Sequence, residues 1–444
     1  MTGASRPIGR RLLTGTVLSG VVAVLDSTIV VPLLTTIGDE FDGGSQVAWL
    51  VSAYLLAATL TVPMWGRWLD LRGERAPMRA ALGLFALGTA LGAVAPSLGV
   101  LVFARVIQGF GAGGLVPLGE SIIGSRCTPK ERARLQGYIT VSYGLAAGVG
   151  PVIGGALGGV SWRWAFAVIL PFCAVVALTL RGQLRHDSAS ERGGPSPDLA
   201  GGALLGVGLI ALLLGVERLS GLFLLAGIAV VGAFLWRSRT HPHGLIPRSV
   251  LTNRITVACG LIALVIGFAQ YAHLTYLPSL AQELAPQMNP GLVVIPLTVM
   301  WMTMGSIGAV LALRIGTRNV VFIALLAASG AGATLLLSLS VSGLFVAGAL
   351  IGAAAALGVL AVLLLAQFNA APADLGATTA FIVLLRNCGG ALGVSGALGV
   401  YDDFGLVPTL LVLATVAAAG VLPAALIPGR RREARMHLQR VMSR

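Results

Sequence analysis

From about residue 13 to residue 427 the chain alternates between apolar runs and short breaks rich in Arg, Gly or Pro. Fourteen runs can be drawn: 13–37, 47–66, 79–96, 99–124, 137–160, 163–181, 199–216, 220–236, 256–279, 291–313, 319–340, 343–367, 376–400 and 405–427. A helix needs roughly 20 apolar residues to cross the bilayer core. Backbone exposed to lipid must satisfy its own hydrogen bonds, which a helix does within one segment. The expected fold is therefore an all-α polytopic membrane protein. Composition agrees: 56% of residues are hydrophobic and 11% charged, too little polar surface for a soluble chain of 444 residues. The 60 glycines suit spanning helices, where small residues let backbones approach. The first run is too long for a cleavable leader, and no small-residue cleavage site follows it.

The net charge of +13 raises the question of nucleic acid, but its placement answers in favour of topology. With loops assigned alternately from a cytoplasmic N-terminus, all Lys and Arg residues except Arg105, Arg163, Arg218 and Arg386 fall on the cytoplasmic side. The other side carries Arg163 and Arg218 against Asp39, Glu40, Asp42, Glu217, Glu283, Asp402 and Asp403. This positive-inside bias recurs loop after loop and puts both termini in the cytoplasm. The basic tail from Arg430 either contacts anionic lipid headgroups or serves topology alone. Cys127, Cys173, Cys259 and Cys388 have no metal-ligand spacing, and none sits in an expected outer loop, so neither a metal site nor a disulfide is expected.

The charged or titratable residues inside the apolar runs are Asp26, Arg105, Glu120, His273 and Arg386. Such residues are costly in a bilayer and are functional candidates. At 1.5 Å per residue, Asp26 and Arg105 both lie ~18–21 Å from the cytoplasmic face of a ~30 Å core. They can meet if their helices are neighbours. One reading makes Asp26 an acid that exchanges a proton; the other makes it half of a permanent ion pair. Arg105 and Gln108 lie one turn apart and reach a common polar site, where Arg105 relays protons or only holds the helices together. Glu120, one turn beyond Pro117, either receives cationic substrate or releases protons inward, or else turns towards Arg126 or caps a helix broken at Pro117. His273 is a substrate or proton ligand, or a packing histidine.

The turn "GRWLDLRGER" (Gly66–Arg75) has an echo in "AVLALRIGTR" (Ala309–Arg318), aligning Gly73 with Gly316 and Arg75 with Arg318. Transporters are often built from such repeats, with the substrate site near the midplane between them. The expected organisation is a six-helix half over 1–181, a linker and two additional helices over 182–255, a second six-helix half over 256–428, and a basic tail over 429–444.

Four stretches in the first half then carry a family resemblance: "LDSTIVVPLL" in the first run, "GRWLDLRGER" after the second, "RVIQGFGAGG" (Arg105–Gly114) in the fourth and "AAGVGPVIGG" (Ala146–Gly155) in the fifth. "YLPSLAQ" (Tyr276–Gln282) and "RNCGGALG" (Arg386–Gly393) match more loosely. The chain resembles the major facilitator superfamily and, within it, the fourteen-helix drug:proton antiporters. That resemblance implies the major facilitator fold, two six-helix bundles with two extra helices, working by alternating access. It implies that Asp70, Gly73 and Arg75 latch the cytoplasmic helix ends, and that Gly150, Pro151, Gly154 and Gly155 form a tightly packed, bent helix that seals or hinges. Arg386 occupies a recurring family position, read as structural or gating. Leu71 and Glu74 depart from the basic residues of the loop motif, and Ala146 replaces a glycine.

Tyr54, Tyr143, Tyr271, Tyr276 and Trp301 are candidate aromatic walls for a hydrophobic substrate, or packing and interface anchors. The only lysine, Lys130, lies in "TPKER", so the chain holds no phosphate-binding Gly-Lys-Ser/Thr loop and no ATPase domain. No hydrolase or zinc motif is present either. The expectation is a secondary active transporter rather than an enzyme, using the proton gradient and no cofactor. It would export hydrophobic or cationic small molecules from the cell membrane, with lipids and protons as its other partners and no nucleic acid. The alternatives are an exporter of a lipid or secondary metabolite, and an uptake symporter or non-transporting sensor. The preference for Arg over Lys and for Gly and Ala points to a bacterial genome rich in GC.

Overall fold

A computed structural model describes residues 9–42, 46–47, 49–158, 160–184, 198–217, 220–241, 244–288, 290–404 and 406–425. Every regular element among them is helical. The expected tail over 429–444, Arg218 and most of the linker after Arg181 lie outside the described residues.

Helix α1 (Arg10–Ile29) passes through a 3-10 turn at Val31–Leu33, where Pro32 lacks the N–H that would continue it, into α2 (Leu34–Glu40). α3 (Trp49–Arg72) ends at Gly73, whose φ of 72° suits glycine. There follow α4 (Arg75–Ala93), α5 (Leu98–Arg126), α6 (Pro129–Gly158), α7 (Arg163–Ala167) and α8 (Ile169–Leu180). Ser97 caps α5 by accepting from the Val100 N–H. Thr128 and Glu131 form a reciprocal box at the start of α6. The hairpin α9 (Leu199–Glu217) and α10 (Gly221–Thr240) leads through the short α11 (Arg248–Thr252) to α12 (Arg254–Leu284), capped by Asn253. The chain then runs through α13 (Ile295–Ile315), α14 (Thr317–Leu337), α15 (Val341–Asn369), α16 (Leu375–Phe404), α17 (Leu406–Ala419) and α18 (Val421–Ala425).

Among the described residues, eleven helical segments are long and apolar enough to cross a membrane. Three shorter apolar helices, Ala200–Leu212, Leu292–Gly308 and Ala414–Ala425, coincide with the remaining apolar runs.

The second half repeats the packing of the first. α1 packs on α5, α6 and α8, and α12 packs on α15, α16 and α17. α5 packs on α3 and α4, as α15 does on α13 and α14. The turn glycines follow the same pattern: Gly316 has φ 87°, as Gly73 has 72°. Even the seam between the halves is duplicated, α3 against α16 and α6 against α13. The hairpin lies beside one of these seams, with α9 touching both α3 and α16. Leu205 and Phe234 of the hairpin share a buried apolar cluster with Ile262, Ile266 and Val362 of the second half.

Candidate transport site

Arg105 brings the first half's polar centre together. Its Nη1 donates at 2.7 Å to Asp26 Oδ2 and at 2.7 Å to Gln108 Oε1, while Nε donates at 2.9 Å to the Leu50 carbonyl. Gln108 Nε2 donates at 2.7 Å to Asp26 Oδ1 and at 2.8 Å to Thr89 Oγ1. The Tyr54 ring lies 4.0 Å from the guanidinium, and its hydroxyl donates to the Ala23 carbonyl. Asp26, Arg105, Gln108 and Thr89 are each 0% exposed. Four helices thus meet at one ion pair, and the depth argument that paired Asp26 with Arg105 agrees with this contact. Within this network, Arg105 Nη2 is the one buried polar side-chain atom with no hydrogen-bond partner among the described residues.

Thr89 and the Leu50 carbonyl do not stand out in the sequence. Thr89 is the one hydroxyl of α4, a signal once its neighbour is known. It reaches Gln108 because Gly88 lets α4 close on α5: a Cβ there would stand 2.7 Å from the Ala104 carbonyl oxygen. Tyr54, a candidate for either a cavity wall or packing, is 3% exposed, buried under Arg105. Tyr276 is likewise buried, 5% exposed inside an apolar cluster with Leu277 and Leu280. His273 is buried with Nδ1 against the Ala269 carbonyl at 2.8 Å, the geometry of a packing histidine on one side of its ring. Its Nε2 has no partner among the described residues.

A second polar group lies nearer the seam. Glu120, buried on α5, accepts from Gln136 Nε2 of α6 at 3.3 Å. Tyr143, two turns further along α6, packs against Gly20. Across the seam, Arg386 of α16 donates through Nη2 to Gln270 Oε1 at 3.1 Å. Its guanidinium lies 5.9 Å from the Tyr271 ring and 5.8 Å from the Trp301 ring. Arg386 therefore sits in a box of aromatic and amide groups.

The antiporter-like stretch divides between two faces. Gly150 faces Thr28, and a Cβ on Gly154 would stand 3.0 Å from Pro32 Cγ, so this stripe seats α6 on α1 just past Asp26. Gly155 has nothing within 4 Å and Pro151 is exposed, so these two do not belong to the tight contact. Residues 150 and 154 share one helix face, and 151 and 155 the next.

The halves meet at the end that carries the Arg-rich turns. Asp70 accepts from the N–H of Gly376 at 2.8 Å and of Ala377 at 2.7 Å, capping the first turn of α16. Gly66 and Gly376 allow this approach; a Cβ on Gly66 would stand 2.5 Å from the Gly376 carbonyl oxygen. Arg67 lies 4.0 Å from Asp374, and Gly124 faces Gln367. Further up, Gly144 faces Met302 and Gly305 faces Thr140. Arg75 is exposed at the start of α4. Glu74, the departure from the loop motif, is buried and pairs with Arg126 at the end of α5. At the opposite end, Glu40 accepts from Arg163 and from the Trp162 indole, and these bonds hold its carboxyl below the ordinary range.

Residues 16–394 match the family model of the Major Facilitator Superfamily. The chain is 29% identical over 403 residues to the multidrug transporter protein MdtP of Bacillus subtilis (strain 168), covering 86% of this chain and 74% of that protein. It is 30% identical over 336 residues to the multidrug resistance protein B homolog of Mycobacterium tuberculosis (strain ATCC 25618 / H37Rv), covering 71% of this chain and 61% of the relative. Among solved structures, the human organic anion transporter MFSD10 matches with a TM-score of 0.72 at 21% identity, covering 95% of this chain and all of that one. The proton:xylose symporter XylE matches with a TM-score of 0.64 at 15% identity, over 94% of each chain. The two structures share the fold. With a family match that runs from Thr16 through Val394, the chain belongs to the Major Facilitator Superfamily and is a multi-pass membrane transporter, not an enzyme.

Proposed function

We propose that the protein is a proton-coupled exporter of amphipathic small molecules, cationic ones included, working by alternating access. In this reading it crosses the cell membrane fourteen times with both termini in the cytoplasm, as the fourteen-helix drug:proton antiporters do. Its energy source is the proton gradient, with no cofactor. The observation that carries the reading is the closed Asp26–Arg105–Gln108–Thr89 network, sealed from solvent at the junction of α1, α3, α4 and α5.

An acid placed there serves a cycle in which opening the halves exposes it to one side of the membrane at a time. A proton on Asp26 removes the charge that holds Arg105 Nη1, and its loss restores that contact. Thr28 lies two residues beyond Asp26 and rests on Gly150 of α6, and α6 in turn faces Met302 and Gly305 of α13. A shift of α1 thus bears on a seam between the halves. The names of the two bacterial relatives support a drug-like substrate.

The test is efflux of ethidium from energised vesicles. Dye movement should collapse on adding an uncoupler and should be absent in Asp26→Asn protein that reaches the membrane. Uncoupler-resistant efflux rejects the proton as the driving ion.

A further inference from the structure

The Asp26 centre has its main bonds closed internally. The Glu120 and Arg386 pair does not. Arg386 is a cation within an apolar helix, yet its partner among the described residues is a neutral amide, Gln270, and its buried Nε has none. A guanidinium so placed is costly unless a negative group completes it. Glu120 holds one amide bond, at the long distance of 3.3 Å. The two charges belong to opposite halves, on helices α5 and α16 that pack together. Tyr271 and Trp301 flank the guanidinium at the outer edge of cation–π range.

We infer that Glu120 and Arg386 are the two oppositely charged walls of one substrate site between the halves, and that its favoured cargo is a zwitterionic amphiphile. A flat aromatic body would lie against Tyr271 and Trp301, with its cationic group at Glu120 and its carboxylate at Arg386. This rests on the export reading and adds a specificity-determining residue, Arg386, together with a substrate class. A cation alone satisfies half the site; an anion alone satisfies the other half. A zwitterion satisfies both.

Three xanthene dyes of nearly common shape provide the test: rhodamine B as zwitterion, its ethyl ester as cation, and fluorescein as anion. Binding to the purified full chain is measured by equilibrium dialysis, and efflux is measured in proteoliposomes. The wild type should hold rhodamine B about tenfold more tightly than either partner dye. Arg386→Gln should shrink the advantage of rhodamine B over its ester, and Glu120→Gln its advantage over fluorescein. Arg386→Lys should keep part of it. Equal affinity for the three dyes in the wild type overturns the inference, even if the variants fail to fold. So does an equal loss for all three in Arg386→Gln, or full recovery for all three in the exchanged pair Glu120→Arg with Arg386→Glu, which would mark a structural ion pair. Binding needs no gradient, so uncoupler-resistant efflux would remove proton coupling while leaving the ranking of the dyes to be judged by itself.

Discussion

The Asp70 carboxylate on α3 takes the backbone N–H of Gly376 at 2.8 Å, joining one half to the first turn of a helix in the other across 306 residues of sequence. A helix N-terminus carries unsatisfied N–H groups and partial positive charge, so a carboxylate there is stabilised twice. The bond exists only while the halves are closed at this end.

Asp70→Ala should therefore favour opening at the Arg-rich end, by about 0.5–2 kcal/mol, the usual worth of such a cap. Asp70→Asn, which keeps an acceptor but loses the charge, should do so less. A cysteine at Thr378, which is 1% exposed, on a background freed of native cysteines, reports the change. Maleimide labelling at this position should rise in the order wild type, Asn, Ala.

Asp26 and Arg105 are both sealed, so removing one charge strands the other. Asp26→Asn or Arg105→Gln alone should lower stability by about 3–5 kcal/mol. The double variant should recover much of that loss in a thermal melt. Proton-coupled efflux should stay absent in all three, separating the pair's role in folding from its role in transport.

The α6 glycines make a contrast within one motif. Gly154→Leu forces a side chain into Ile29 and Pro32 and should cost about 1–3 kcal/mol or more, with loss of efflux. Gly155→Ala adds a methyl group where nothing stands within 4 Å and should melt within a few degrees of the wild type. Melting and dye efflux on the two variants check both outcomes.

The hairpin is fastened by Asp198, which accepts the Arg237 fork through Nε and Nη2 and caps α9 at Gly201. Burial opposes the charged form, but the Arg237 and Gly201 bonds outweigh it and hold the carboxyl below its ordinary 3.8. A carboxylate depressed in the folded state stabilises above its unfolded value and loses that contribution as pH falls through the folded one. The melting temperature should thus drop below about pH 4 by more in the wild type than in Asp198→Asn. Arg237 is partly exposed, so the pair contributes little and weakens with salt.

What the sequence determined is an all-helical, membrane-spanning chain, its main turns and the depth of the Asp26 and Arg105 charges along their helices. Length and hydropathy mark a span, because lipid excludes unsatisfied backbone. Depth follows from counting residues, which is why Asp26 and Arg105 could be matched across 79 positions. The Gly73 and Gly316 echo was legible because a left-handed turn favours glycine at both places. The rotation of each helix about its axis was decided only by the tertiary structure. In a bilayer the lipid-facing and the core-facing sides are both apolar, so no polar stripe marks the inward face. The wall and packing readings of Tyr54 and Tyr276 could therefore not be separated, and Gly155 could not be told from Gly154. Thr89, the Leu50 carbonyl and the aromatic box around Arg386 became partners through close helix packing, and Asp70 found its donors only when the two halves met.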